Sequence, residues 1–316
     1  MSILLGCWLW LVAQSAPAQA PRFVMDDDAF LDRIALTAAK LVKQQKLVPL
    51  DRLKRQLERS REVTLAPVPL SREKFSPPDL YDRVRESTFA VGPFYRCADC
   101  EEWHFTGGTG FAVGEDGVIS TCCHILNAEE EEMKDAYLIA VDSTGRVFPV
   151  RRVLAADKES DTCFLKIDAT GLKPLPFRPG VRTGEPVFCL SHPGGNHFMF
   201  AQGMVARVMK NRDTTVDAAG KTNVTRPILY LNITAEYAPG SSGAPVVDES
   251  GNVVGQVTSI ADAGEPLPED PSQTAPASPS VPVRFCLAAE EIVRLVKPPS
   301  APAEARKTTL DREAGK

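Results

Sequence analysis

Apolar side chains between residues 27 and 62 recur at helical spacing: Phe30, Leu31, Ile34, Leu36, Leu41 and Val42, then Leu50, Leu53 and Leu57 beyond Pro49. The pattern predicts two amphipathic helices broken at Pro49, packing on a larger body rather than mediating association. A Pro-containing connector, "LAPVPLSREKFSPPDL", leads to a short helix expected around Leu80 to Glu86. From Ser87 the period shortens. Runs such as "STFAVGPFY", "GTGFAVGEDGVISTC", "DTCFLKID", "EPVFCLSHPGG", "ILYLNITA" and "GAPVVDESGNVVGQVTSI" are β-rich and separated by turn residues, with hairpin chemistry at "EDG", "STG" and "ESGN". Many short strands at this spacing predict an antiparallel barrel or sandwich. The Pro-bearing stretch 171–180 divides them into comparable halves, so the expected fold is mainly β with two small barrels, about 87–172 and 180–286. "VRFCLAAEEIVRLVK" reads as a closing strand feeding a C-terminal helix at about 287–297.

The ends have another texture. Residues 1–20 carry an apolar run from Ile3 to Ala13, then small residues in an A-x-A arrangement, the form of a signal peptide cut after Ala18 or Ala20. Export to the periplasm or the exterior is therefore expected, against the alternatives of a start codon placed too early or of lipidation at Cys7. No stretch approaches about 18 consecutive apolar residues, so no membrane span is expected. Residues 262–282 and the tail 298–316 are Pro- and Ala-rich and too polar to bury a core, which predicts disorder. A net charge of −5 provides no basic stripe to neutralise phosphates and argues against a nucleic-acid partner.

Candidate chemistry centres on "EYAPGSSGAPVVDESG", residues 236–251, where two serines lie between glycines. A serine hydroxyl is a weak nucleophile near neutral pH and needs a general base, itself oriented by a third group. The chain has four histidines. His124, where "GVIST" gives way to a loop, is the best-placed base. His104 sits in a probable strand, and His192 and His197 flank the turn "HPGGNH". Asp161 opens the apolar run 163–167 and can accept a bond from the imidazole, whereas Asp157 and Asp168 read as solvated turn residues.

"GTGFAV", "VISTCCHIL", "DTCFLKI" and "PGSSGAPVVDESGNVVGQV", in that order, resemble a trypsin-like serine protease, closest to the bacterial HtrA-type peptidases, over about Ser87 to Val296. The resemblance implies two six-stranded antiparallel barrels, an endopeptidase acting on polypeptides through an acyl-enzyme without metal or organic cofactor, and a triad of His124, Asp161 and Ser242. It places the protease domain at 81–297 after a helical extension and connector at 21–80, with no PDZ domain expected behind it. In G-x-S-G-x-P the third position is the nucleophile, which selects Ser242 over Ser241. The amides of Gly240 and Ser242 then form the oxyanion hole.

The same resemblance assigns Glu236 and Tyr237 to the base of the substrate pocket, and Thr258, Ser259 and Ile260 to the strand on which a substrate pairs. Glu236 favours a basic side chain and Tyr237 a shallow apolar one, so the preference stays open. The competing class is a latent or non-catalytic protease-like domain that binds extended peptides by strand addition. Cys97, Cys100 and His104 in "CADCEEWH" make a zinc half-site, but no second Cys pair matches it, so a local disulfide or two free thiols is the expectation. Cys122, Cys123 and Cys163 read as packing residues, with a Cys122–Cys163 bridge as the alternative. "NVT" at 223 and "NIT" at 232 match the glycosylation pattern.

Overall fold

A computed structural model describes residues 22–58, 62–127, 133–212, 214–216, 222–224, 226–263 and 281–299. The leader 1–20, the centre of the Pro-rich segment and the tail from 300 lie outside the described residues. The extension begins with helix α1 (Asp27–Lys43), capped by Asp26, whose carboxylate accepts from Ala29 N at 3.0 Å. Phe30, Ile34 and Ala38 of α1 are buried in one apolar cluster with residues of both barrels, as their spacing predicts, but Leu36 is 77% exposed. Pro49 sits at the N-cap of the second helix, α2 (Leu50–Lys54), which is a short turn rather than a full helix. Strand β1 (Val63–Thr64) follows, then helix α3 (Pro77–Arg85), started by Ser76 and two prolines.

The first barrel comprises β2 (Thr88–Cys97), β3 (Trp103–Phe105), β4 (Gly108–Gly114), β5 (Val118–Thr121), β6 (Met133–Val141), β7 (Val147–Asp157) and β8 (Thr162–Ile167). Its pairing order is β2-β4-β5-β8-β7-β6, and β6 pairs back onto β2, so six antiparallel strands close while β3 extends the far end of β2 as a hairpin. The second barrel uses β9 (Pro186–Ser191), β10 (Met199–Asn211), β13 (Ile228–Ile233), β14 (Pro245–Val247), β15 (Val253–Ala263) and β16 (Val281–Ala288), closed in the order β10-β13-β16-β15-β14-β9. A small hairpin, β11 (Thr214–Val216) with β12 (Thr222–Val224), projects from it. Closure leaves neither barrel with a long unpaired edge.

The expected C-terminal helix is reduced to α4 (Ala289–Val293). The chain then extends as β17 (Val296–Lys297), pairing in parallel with β1 and so fastening the connector to the C-terminal end of the second barrel. β15 and β16 run to Ala263 and from Val281, so the two ends of the segment expected to be disordered are strand. Asp157 is no solvated turn residue. It ends β7 and accepts from Arg226 at 2.8 Å, while Arg226 also donates to Glu291 of α4 at 2.5 Å, joining the barrels. Asn232 is buried in β13 and donates to the Arg284 carbonyl at 3.2 Å, so the N-I-T match lies in a closed strand.

Candidate active site

The barrels meet along a polar seam built from small side chains. Thr109 N of β4 donates to Ser242 O at 2.7 Å, and Thr109 Oγ1 donates to Gly240 O at 3.2 Å. Ser120 donates to Gln256 at 2.7 Å, and Gln256 Nε2 donates to Thr162 Oγ1 at 3.3 Å, all buried. These bonds fix the loop 238–244 of the second barrel against the β4–β5 side of the first. Gly243 fits here because any Cβ would lie 2.1 Å from Thr109 O, and its φ of +84° belongs to glycine's range.

His124 stands on a one-turn 3-10 segment, Cys123–Asn127, directly after β5. Its ring Nδ1 lies 2.5 Å from Asp161 Oδ2, and its backbone N donates to Asp161 Oδ1 at 2.9 Å. An ionised carboxylate only accepts, so the proton sits on Nδ1 and Nε2 is left as the basic atom. Asp161 is on the turn just before β8 in the left-handed region, φ +54°, and this turn aims both carboxylate oxygens back at one residue. The hydrogen bond that Asp161 accepts raises the His124 pKa above its ordinary value of 6.5, opposed by partial burial.

Ser242 is half-buried, and its hydroxyl donates to Thr258 O at 3.4 Å. Among the hydrogen bonds of the described residues none joins it to His124. Neighbouring Ser241 is fully buried and donates to Ser191 Oγ at 3.0 Å, a packing role. Gly240 has φ +96°, and a Cβ there would lie 2.4 Å from His192 O. Neither Gly240 N nor Ser242 N donates to another described residue, whereas Ser241 N donates to Ala238 O at 3.0 Å and Gly243 N to Val257 O at 2.8 Å. Two free amides thus flank the Ser242 hydroxyl.

The predicted pocket residues separate. Glu236 is exposed and Tyr237 is 5% exposed. The Tyr237 hydroxyl lies 2.9 Å from both the Ser259 and the Phe285 carbonyls, and burial pushes its pKa well up. Thr258 is buried at a bulge of β15, with Ser259 exposed and Ile260 half-buried beside it.

Several partners had no signal in the sequence. His197 N and Nδ1 lie 3.1 and 2.7 Å from Asp27 Oδ1 of α1. The same loop holds Gly194, whose N donates to Pro239 O at 2.7 Å, one residue before Gly240. Only the pair of histidines around "HPGG" hinted at this. All seven described cysteines are free thiols: Cys123 Sγ donates to Thr162 O at 3.2 Å and Cys122 Sγ to Val257 O at 3.3 Å, so the Cys122–Cys163 bridge is not formed.

A double barrel with a His–Asp pair and a glycine-flanked serine at the seam defines the chymotrypsin-like class. Residues 108–255 match the family model described as the trypsin-like peptidase domain. The chain is 29% identical over 158 residues to "Protease Do-like 1, chloroplastic" of Arabidopsis thaliana, covering 48% of this chain and 33% of that protein. It is 29% identical over 157 residues to "Probable periplasmic serine endoprotease DegP-like" of Brucella suis biovar 1 (strain 1330), covering 48% and 27%. The chain thus spans a third or less of these relatives. A solved structure, "HtrA-type protease AlgW with decapeptide", superposes with TM-score 0.50 at 17% identity, over 70% of this chain and 67% of that one, a likeness of fold. Residues 108–255 thus match a trypsin-like peptidase domain, and about half of the chain is similar to HtrA- and DegP-type proteases.

Proposed function

We propose that the chain is a serine endopeptidase. The observation that carries the reading is the doubly hydrogen-bonded His124–Asp161 pair facing a seam where Ser242 is flanked by two amides free of protein partners. Ser242 attacks the peptide carbonyl as His124 Nε2 takes its proton, Asp161 holds the Nδ1–H tautomer, and the Gly240 and Ser242 amides receive the oxyanion. His124 then gives the proton to the leaving amine, and water, activated by the same base, hydrolyses the acyl-enzyme. Thr258 to Ile260 offer the strand on which substrate pairs. The protease domain is assigned to 81–297, and a leader at 1–20 directs export, in keeping with the periplasmic name of one relative.

The second reading is a latent domain that binds extended peptides. It is favoured by the Ser242 hydroxyl, which rests on Thr258 O at 3.4 Å and not on His124. Catalytic bonds that tighten only with substrate have the same appearance beforehand. Hydrolysis of unfolded casein decides: the peptidase cleaves it and Ser242→Ala does not, whereas the latent domain binds without cleaving in both forms.

A further inference from the structure

Arg284 lies on β16 opposite Ile260 of β15 and two residues before Cys286, which is buried in the second barrel. Residues two apart on a strand share a face. Arg284 therefore points into the barrel mouth, where its guanidinium stands 5.8 Å from the Tyr237 ring. Tyr237 in turn holds Ser259 O, next to the Thr258 carbonyl that receives the Ser242 hydroxyl. The Arg284 Nε is buried without a hydrogen-bond partner, and no carboxylate among the described residues pairs with this arginine. A buried donor left without a partner is costly, and a planar guanidinium fork is matched best by a carboxylate.

We infer that Arg284 is the base of the substrate pocket and selects a carboxylate side chain, Asp or Glu, on the N-terminal side of the scissile bond. The inference rests on the peptidase reading and answers the preference that Glu236 and Tyr237 left open. A peptide library digested by the wild-type chain should yield cleavage after Asp or Glu. Arg284→Gln should lower the ratio of kcat/KM on these sites to that on alanine sites about tenfold or more. Digestion without acidic preference, or a preference unaltered in Arg284→Gln, overturns the inference and leaves the peptidase reading standing. If no peptide is cut, binding decides: tighter binding of Asp-containing than Asn-containing peptides, lost in Arg284→Gln, supports the pocket, and equal binding overturns it.

A separate observation carries a second inference. At the tip of the β2–β3 hairpin, ligand atoms of Cys97, Cys100 and His104 lie within 4.8 Å of one another, with Cys100 Sγ 3.1 Å from His104 Nε2. Cys97 N donates to Glu102 O at 2.9 Å, closing the turn. Glu101 sits at φ +60°, its carboxylate held by Arg96 and Lys134, away from the sulfurs. Two sulfurs and an imidazole converging on one solvent-facing point suit a thiophilic divalent ion.

The geometry points to a zinc site of Cys97, Cys100 and His104, with water in the fourth position and two thiol protons released on binding. The sequence lacked a second Cys pair, but the hairpin brings His104 in as third ligand. The full chain, purified under reductant and without chelator, should contain about one zinc per chain. Cobalt should replace it with thiolate-to-cobalt absorption. Both signals should vanish in Cys97→Ser and persist in His104→Cys. Zinc no higher than in Cys97→Ser, or a chain lighter by two hydrogens with 97 and 100 cross-linked, overturns the assignment.

Discussion

Two histidine–aspartate pairs among the described residues have similar lengths and different surroundings. His124 and Asp161 lie at the barrel seam, 2.5 Å apart, with side chains 47% and 29% exposed. His197 and Asp27 lie 2.7 Å apart, and the His197 side chain is 6% exposed, packed against Phe30 and His192. In the peptidase reading, solvent access lets the first imidazole exchange its proton with a substrate, while burial suits the second to fastening the extension to the loop that braces Gly240. Next to the fastener, His192 is pushed down to about 3 by burial, so it stays neutral and structural. A His–Asp contact is thus no sign of catalysis until its exposure and its third partner are known.

The largest effect that would break this contrast is at the seam. Asp161→Asn should lower kcat about 10⁴-fold by favouring the wrong tautomer, with unchanged circular dichroism. Asp27→Asn, equally a carboxylate lost from a histidine, should leave kcat within about tenfold and instead cost about 1–3 kcal/mol of stability in urea melts. Equal kinetic losses in both variants would erase the distinction.

Gly240→Ala should come next. Its Cβ would meet His192 O at 2.4 Å and its φ is unfavourable, so the amide must move. A loss of about 2.7–4 kcal/mol in transition-state stabilisation, seen in kcat rather than KM, is the expected result.

The pH profile sharpens the comparison further. His124 must be neutral to act, and Asp161 raises its pKa, so kcat/KM should fall as pH drops through a value above 6.5. The sign for stability is opposite. A raised folded pKa stabilises the protein fully below the unfolded value, and that contribution fades as pH rises through the folded one. A rate flat from pH 8 to about 5 would remove His124 as base. The smallest expected effect on the chemistry is that of Ile34→Ala on α1, which should leave kcat unchanged while costing about 2–5 kcal/mol of stability.

Much of this was legible in the chain. Alternation and turn residues marked the strands of both barrels, and motif order singled out His124 and Asp161, which the fold pairs at 2.5 Å, and Ser242, whose hydroxyl rests on Thr258 O. Bonds formed across long sequence separation were not legible. Nothing local links Asp27 to His197, Arg226 to Asp157, or Arg284 to the ring of Tyr237. The helical spacing of Leu36 misled because that face of α1 looks to solvent, and the C-terminal helix is short because Val296 and Lys297 are taken by β1. Glu236 precedes the proposed nucleophile in sequence but is exposed, whereas Arg284 of β16, far off in sequence, has its Nε buried.

The central claim is that Ser242 is an activated nucleophile, and labelling by a fluorophosphonate tests it most directly. The account predicts one covalent adduct on Ser242 of the folded chain at neutral to mildly alkaline pH, absent in Ser242→Ala and strongly slowed in Asp161→Asn. An unlabelled folded wild type, or an adduct that persists in Ser242→Ala, would contradict it.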